Sequence, residues 1–294
     1  MFIRPILALA SLCAPVAFSQ DLKTMVPGFD ASRLLFAQSG DMDFDIGGGS
    51  VAVTDVSLRS FLCQPISPSE GLYLIPEAGY RFTDLRFDGA TAPMQDEDLH
   101  SLFLSGYLIS MKDNCPWIWG GWTRAELASD FQDVDGDDFT FDVAGGVGYR
   151  FSDTFTLGVG AALLNLGGDE AFYPGIGFDW IVNEQLRVGF YGPVGMAAYS
   201  INDDWLLTAR FDFSGGVWNI NDPAGNSRSI DMSDNRLGIY ASRRLTENLW
   251  LTAGVGVTIA NEINYTSSSG NTTWFQSDLD TAPFGVISLR VKAW

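Results

Sequence analysis

A recurring turn constrains this chain more than any other feature. Four times an alternating strand runs into two or three polar residues and a new alternating strand begins at once. The segments are Tyr149–Leu157, Asp179–Val188, Tyr199–Leu207 and Arg244–Leu251. Longer, more polar stretches lie between these turns. Short turns at one end and long loops at the other are the pattern of an up-and-down antiparallel β-barrel that crosses a membrane.

The period is two nearly everywhere from Asp41 onward. Phe155, Leu157, Val159, Ala161 and Leu163 alternate with threonine, glycine and alanine. Leu249, Leu251, Ala253, Val255, Val257 and Ile259 alternate with Trp250, Thr252, Gly254, Gly256, Thr258 and Ala260. The predicted strands are 42–48, 51–63, 71–87, 98–111, 116–129, 138–151, 154–165, 172–182, 185–191, 195–202, 204–219, 229–244, 248–264 and 282–294. That is a barrel of twelve to fourteen strands, depending on the first hairpin. Outer loops are expected at 88–97, 130–137, 167–170, 221–228 and 264–281, with a tight outer turn at Gly192–Gly195 that lowers the rim.

Alternation alone also suits a soluble β-sandwich, with its apolar face inside. In a membrane barrel the apolar face meets lipid and charges point inward. Three features favour the barrel. The turns repeat along one continuous chain. Trp117, Trp119, Tyr149, Trp180, Tyr199, Trp205, Trp218 and Trp250 lie near strand ends, as interfacial aromatics do. Finally, a strand runs to the last residue, Phe284–Trp294, with apolar Ile287, Leu289, Val291 and Ala293 and with Trp294 one step out of phase.

That ending resembles the closing strand of bacterial outer-membrane barrels. On these features the mature chain resembles the uncharacterised porin-like outer-membrane β-barrel families, by architecture rather than by a diagnostic motif. The resemblance implies residence in the outer membrane among lipid and lipopolysaccharide and insertion by the outer-membrane assembly machinery; the charged inward face described below adds the expectation of a passive pore for small hydrophilic solutes.

The 294 residues divide into three parts. Residues 1–19 read as a secretory signal, with Arg4, an apolar run from Ile6 to Phe18 and a small-x-small site at Ala17-Phe-Ser19. Residues 20–40 read as a periplasmic leader, and 41–294 as the barrel. The formal charge of −19 falls to −20 when Arg4 leaves with the signal. Such an acidic chain lacks the phosphate-neutralising surface that a nucleic-acid partner requires.

The inward face is expected to collect Glu77, Arg81, Arg124, Glu126, Asp142, Arg150, Asp179, Arg187, Arg210, Asp212, Arg290 and Lys292. Seven are basic and five acidic, so the excess acid belongs to loops and turns. A hairpin symmetric about Asp133 places Arg124 opposite Asp142 and Glu126 opposite Thr140. Opposed charges of this kind either line a selective constriction or cross-link and fill a narrow barrel.

Cys63 and Cys115 lie near tight-turn ends of strands and are candidates for a disulfide or for two free thiols. Asp133, Asp135 and Asp137 are weak cation ligands at most: Phe131 stands where a calcium loop needs its first carboxylate, and no closing Glu follows. Asp98-Leu-His100 has the Asp-x-His form of outer-membrane aspartyl-type proteases, which also need a second pair of acids across the rim, a place Asp133 and Asp135 could take; the alternative is a solvated loop histidine. His100-Ser101 suggests a lipase, but adjacent strand residues point to opposite faces and cannot share a relay without a bulge. Gly158-Val-Gly160 lacks the third glycine and crossover helix of a nucleotide loop. No cofactor is expected and the chain reads as a non-enzyme. The main alternative to a pore is a closed structural or surface-binding barrel, with a rim hydrolase or a soluble β protein further behind.

Overall fold

A computed structural model describes residues 30–292 except 64–65, 70, 90–94, 113–114, 133, 135, 167–168, 193, 222–226 and 268–271. The signal sequence and Trp294 lie outside the described residues. Strands β1 (Asp30–Ser39), β2 (Met42–Asp43), β3 (Ser50–Phe61), β4 (Ile66–Ser69), β5 (Leu72–Asp88) and β6 (Glu97–Met111) open the chain. They are followed by β7 (Trp117–Ser129), β8 (Phe139–Ser152), β9 (Phe155–Leu166), β10 (Asp169–Ile181), β11 (Leu186–Tyr191) and β12 (Val194–Asn202). The last six are β13 (Trp205–Asp212), β14 (Gly215–Asn221), β15 (Ser227–Arg244), β16 (Leu249–Ser267), β17 (Thr273–Leu279) and β18 (Pro283–Lys292).

Antiparallel pairing runs β1–β3–β5–β6–β7–β8–β9–β10–β11–β12–β13–β15–β16–β18 and returns to β1, closing a ring of fourteen strands. Closure leaves no open sheet edge, so the backbone groups of the wall are satisfied within the sheet. No described helix is long and apolar enough to span a membrane; the strands do the crossing. The outward face carries Phe36, Leu104, Phe141, Val159, Ile176, Ile239, Val255 and Ile287, all exposed. Their strand neighbours point into the barrel.

Four expectations need correction. The first barrel strand is Asp30–Ser39, inside the expected leader, and only Met42–Asp43 of the predicted 42–48 strand pairs. The period was hidden because Leu35 and Ala37, on the inner face of β1, pack on Phe284 and Val286, making both faces of the strand apolar. The 264–281 loop is largely a hairpin of β16 and β17. The 204–219 strand breaks at Phe213–Ser214 into β13 and β14. Trp218 and Trp250, expected at the membrane interface, are each 1% exposed and face the interior.

The break before β14 shapes the outer half. Gly215 has φ 126°, and a Cβ there would meet the Met232 carbonyl oxygen at 2.0 Å. Glycine alone fits this bend. Beyond it β14 stays paired with the upper part of β15 and crosses the lumen to β7. Asn219 bridges to Ser129, and the Asp130 amide donates to the Asn219 carbonyl at 3.2 Å. Trp218 Nε1–H donates to Ser101 Oγ on β6 at 3.0 Å.

An apolar core fills the space that β14 encloses. It includes Met42, Val51, Leu85, Leu99, Trp218, Ile230, Ile263 and Tyr265. Strand β16 supplies the last two through a bulge. Ala260 has φ 49°, and the β15–β16 register shifts beside it. The extra residue switches the inward set from even (Thr252, Thr258) to odd (Ile263, Tyr265). On the other side of the barrel the rim is low, as the turn at Gly192–Gly195 predicted. Strand β11 has six residues, and β10 pairs with it only from Gly177 downward. Spanning the apolar band takes about nine to eleven residues.

Candidate functional site: the charged lumen

Below the apolar core the interior is polar. Asp55 on β3, 2% exposed, is its hub. Its Oδ1 accepts from Arg81 Nε and Nη2 at 2.9 and 2.8 Å and from Thr83 Oγ1 at 2.8 Å. Its Oδ2 accepts from Arg236 Nη2 at 2.7 Å. Arg236 also pairs with buried Asp234. Arg81 Nη1 donates to the Gly215 carbonyl at 2.6 Å, so the same network holds the root of β14. Two guanidinium groups shared by two buried carboxylates leave few unmet charges, as a low-dielectric interior demands.

The other expected inward residues are on the lumen face. Arg187 Nε donates to Asp179 Oδ1 at 2.6 Å, and Tyr191 adds a bond at 3.1 Å. Arg210 pairs with Asp212 two residues along β13. Arg124 stands opposite Asp142, and Glu126 opposite Thr140, in the predicted register. The Arg124 guanidinium reaches Glu126 along its own strand at 2.8 Å and lies 4.3 Å from the centre of the Phe103 ring. Glu77 is 4% exposed, and Arg150, Arg290 and Lys292 complete the inward set on β8 and β18.

Among the described residues, inward charges that were not anticipated include Asp30, Arg33, Asp55, Arg59, Asp234 and Arg236. Arg33, opposite both Arg59 and Arg290, was hidden with its strand. Asp55 and Arg59 were visible in the alternation Val53, Asp55, Ser57, Arg59 against Thr54, Val56, Leu58. These six are evenly divided between acid and base.

A cavity of about 290 Å³ lies among β1, β3, β13, β15, β16 and β18, with Arg33, Arg210 and Arg290 on its walls beside Tyr240 and Phe284. Across the barrel, the wall of β7 to β10 carries almost no inward side chains over two rows. Gly120, Gly146, Gly160 and Gly175 stand abreast, and Gly148, Gly158 and Gly177 form the next row. A Cβ at Gly160 would meet the Gly145 carbonyl at 2.7 Å, and one at Gly146 the Val159 carbonyl at 2.9 Å. Here the backbones approach so closely that only glycine fits.

The remaining candidates fall elsewhere. His100 points to the outer face, where its ring stacks on Phe131 and Tyr80 and its Nδ1 shares a 2.7 Å hydrogen bond with the Tyr80 hydroxyl. Asp98 is exposed and accepts from Arg86 at 3.0 Å. Cys63 and Cys115 are both free thiols. Asp133 and Asp135 lie outside the described residues, and the Asp137 carbonyl accepts from Asn219 Nδ2. Among the described residues no group of three metal-ligating side chains converges.

A closed fourteen-strand ring with an apolar outside and a charged inside defines an outer-membrane-type β-barrel. Residues 77–292 match the family described as Domain of unknown function (DUF6268), and the chain belongs to that family. No curated protein matches it in sequence. In fold it is similar to the COG4313 outer membrane channel from Pseudomonas putida F1, at 10% identity and TM-score 0.50, covering 95% of this chain and 99% of that one. It is also similar to a Pseudomonas aeruginosa FadL homologue, at 10% identity and TM-score 0.50, covering 92% of each chain.

Proposed function

We propose that this protein is a passive outer-membrane channel for small hydrophilic solutes. The observation that carries it is the double row of seven glycines on the β7–β10 wall. It leaves a two-row band of that wall almost free of side chains, between rows that carry Arg124, Asp142, Arg150 and Asp179. A barrel serving only as an anchor gains nothing from a bare inner wall, because empty space forfeits packing contacts. The fold neighbours described as an outer membrane channel and a FadL homologue support a transport role.

Residues 1–19 are removed on export in this reading, and the mature chain sits among lipid and lipopolysaccharide after insertion by the assembly machinery. It is not an enzyme: His100 is engaged with aromatic rings rather than facing a second pair of acids. The test is single-channel recording of the refolded mature chain in a planar bilayer. Discrete conductance steps are expected. Folded, heat-modifiable protein that gives none would move the assignment to a closed structural or surface-binding barrel. The dry core around Trp218 is the observation favouring that second reading.

A further inference from the structure

Three arginines stand abreast on the inner wall. Arg33 on β1 is directly opposite Arg59 on β3 and directly opposite Arg290 on β18. Like charges in facing positions of adjacent strands repel, and a lumen partly shielded from water weakens that repulsion little. Elsewhere in this barrel the cost is met by carboxylates: Asp55 and Asp234 for Arg81 and Arg236, Asp212 for Arg210, Asp179 for Arg187. The row of three has one, Asp30, at 3.7 Å from Arg59. Among the described residues no carboxylate lies within 4.0 Å of Arg33 or Arg290. The Nε atoms of Arg33, Arg59 and Arg290 are all buried without a hydrogen-bond partner.

Arg33 and Arg290 also border the 290 Å³ cavity, a volume equal to roughly ten waters. Its polar wall adds the hydroxyls of Ser57, Ser288 and Thr252, and the carboxylates of Asp55 and Asp212, which are already paired with Arg81, Arg236 and Arg210. Arg290 Nη2 is held by Ser242 Oγ at 3.0 Å. Tyr240, Phe284 and Leu35 form an apolar wall. A planar two-oxygen anion matches a guanidinium fork, and an apolar body matches the aromatic wall.

We propose that Arg33 and Arg290, with Arg59 beside them, bind a small organic carboxylate inside the barrel. The site names the solute class of the channel proposed above and rests on that reading for its role, though not for binding itself. The carboxylate supplies the negative charge that the row lacks, and the preference for anions arises although the protein as a whole is acidic.

The test is thermal unfolding of the refolded chain in detergent, with benzoate as probe against chloride and inorganic phosphate at equal ionic strength. Benzoate is expected to raise the melting temperature by several degrees more than either. R33Q and R290Q, measured singly, are expected to raise the melting temperature without ligand and to lose the benzoate shift. R86Q, whose side chain pairs with Asp84 and Asp98 near the outer end of β5, keeps the shift. No benzoate shift in the native chain, an equal shift with phosphate, or an undiminished shift in both variants would overturn the proposal. Bilayer recording separates this from the transport reading. Conductance steps without any benzoate shift would sink the site and leave the pore, while a benzoate shift without steps would sink the pore and leave the site.

Discussion

Trp218 on β14 donates its indole N–H to Ser101 on β6 at 3.0 Å, across the barrel from the strand to which β14 is paired. One hydrogen bond and one buried ring thus tie opposite walls together and close part of the outer half. Trp218→Ala is expected to cost about 3–5 kcal/mol, the range for removing a large buried aromatic, and to increase single-channel conductance. Gly215→Ala tests the same device at its root, since a Cβ there would sit 2.0 Å from the Met232 carbonyl oxygen. Its expected signature is a red shift of tryptophan fluorescence as β14 is displaced. Unchanged emission and conductance in both variants would show that β14 does not seal the lumen.

Asp55 is the single carboxylate between Arg81 and Arg236. Asp55→Asn leaves two guanidinium groups facing each other across a neutral side chain. Breaking a buried pair by deleting one partner costs about 3–5 kcal/mol, and here the β14 root is held by the same arginine. Urea unfolding in detergent micelles should show a loss of that size, and less than 1 kcal/mol would remove Asp55 as the hub.

The glycine rows make a prediction about passage and packing together. Gly160→Val pushes a branched side chain against the Gly145 carbonyl, 2.7 Å from the Cβ position. Overpacking of this kind costs about 1–3 kcal/mol. Conductance is expected to fall by more than it does in Gly136→Val, where a Cβ meets nothing within 4 Å.

Ala260 holds a left-handed conformation, φ 49°, to make the β16 bulge. An L-residue pays about 1–2 kcal/mol there that glycine does not. Ala260→Gly is therefore expected to stabilise the barrel by about 1 kcal/mol, read from the same unfolding curves. A loss of stability would mean that the methyl group packs usefully.

Cys63 is exposed and Cys115 half-buried, and both are free. Without any reductant, both should react with a maleimide on the folded protein, Cys63 faster. Labelling that appears only after reduction would establish a disulfide between them.

The class of fold was legible in the chain because the side-chain period of a strand is two and the solvent changes across the wall. Lipid outside and polar lumen inside write that alternation into β8, β9, β13 and the lower part of β16, residue by residue. The symmetry of the 130–137 loop then gave the β7–β8 register, as the facing of Arg124 and Asp142 shows. Where both faces of a strand are apolar, the signal vanishes. That is why β1 was hidden, and with it Arg33, the middle member of the arginine row. An apolar run such as Val217-Trp218 likewise looks the same whether it meets lipid or a dry interior.

What the sequence by itself determined is the barrel, its number of strands to within one hairpin, the turn ends and most of the inward charges, all consequences of local periodicity. Only the tertiary structure decided that β14 leaves the wall and crosses to β7. It also decided that Asp55 serves two arginines from β5 and β15, and that Arg59, Arg33 and Arg290 meet in one row. Those partners are separated by 26 to 257 residues in the chain. Their meeting depends on ring closure between β1 and β18, which fixes distances that no local pattern carries.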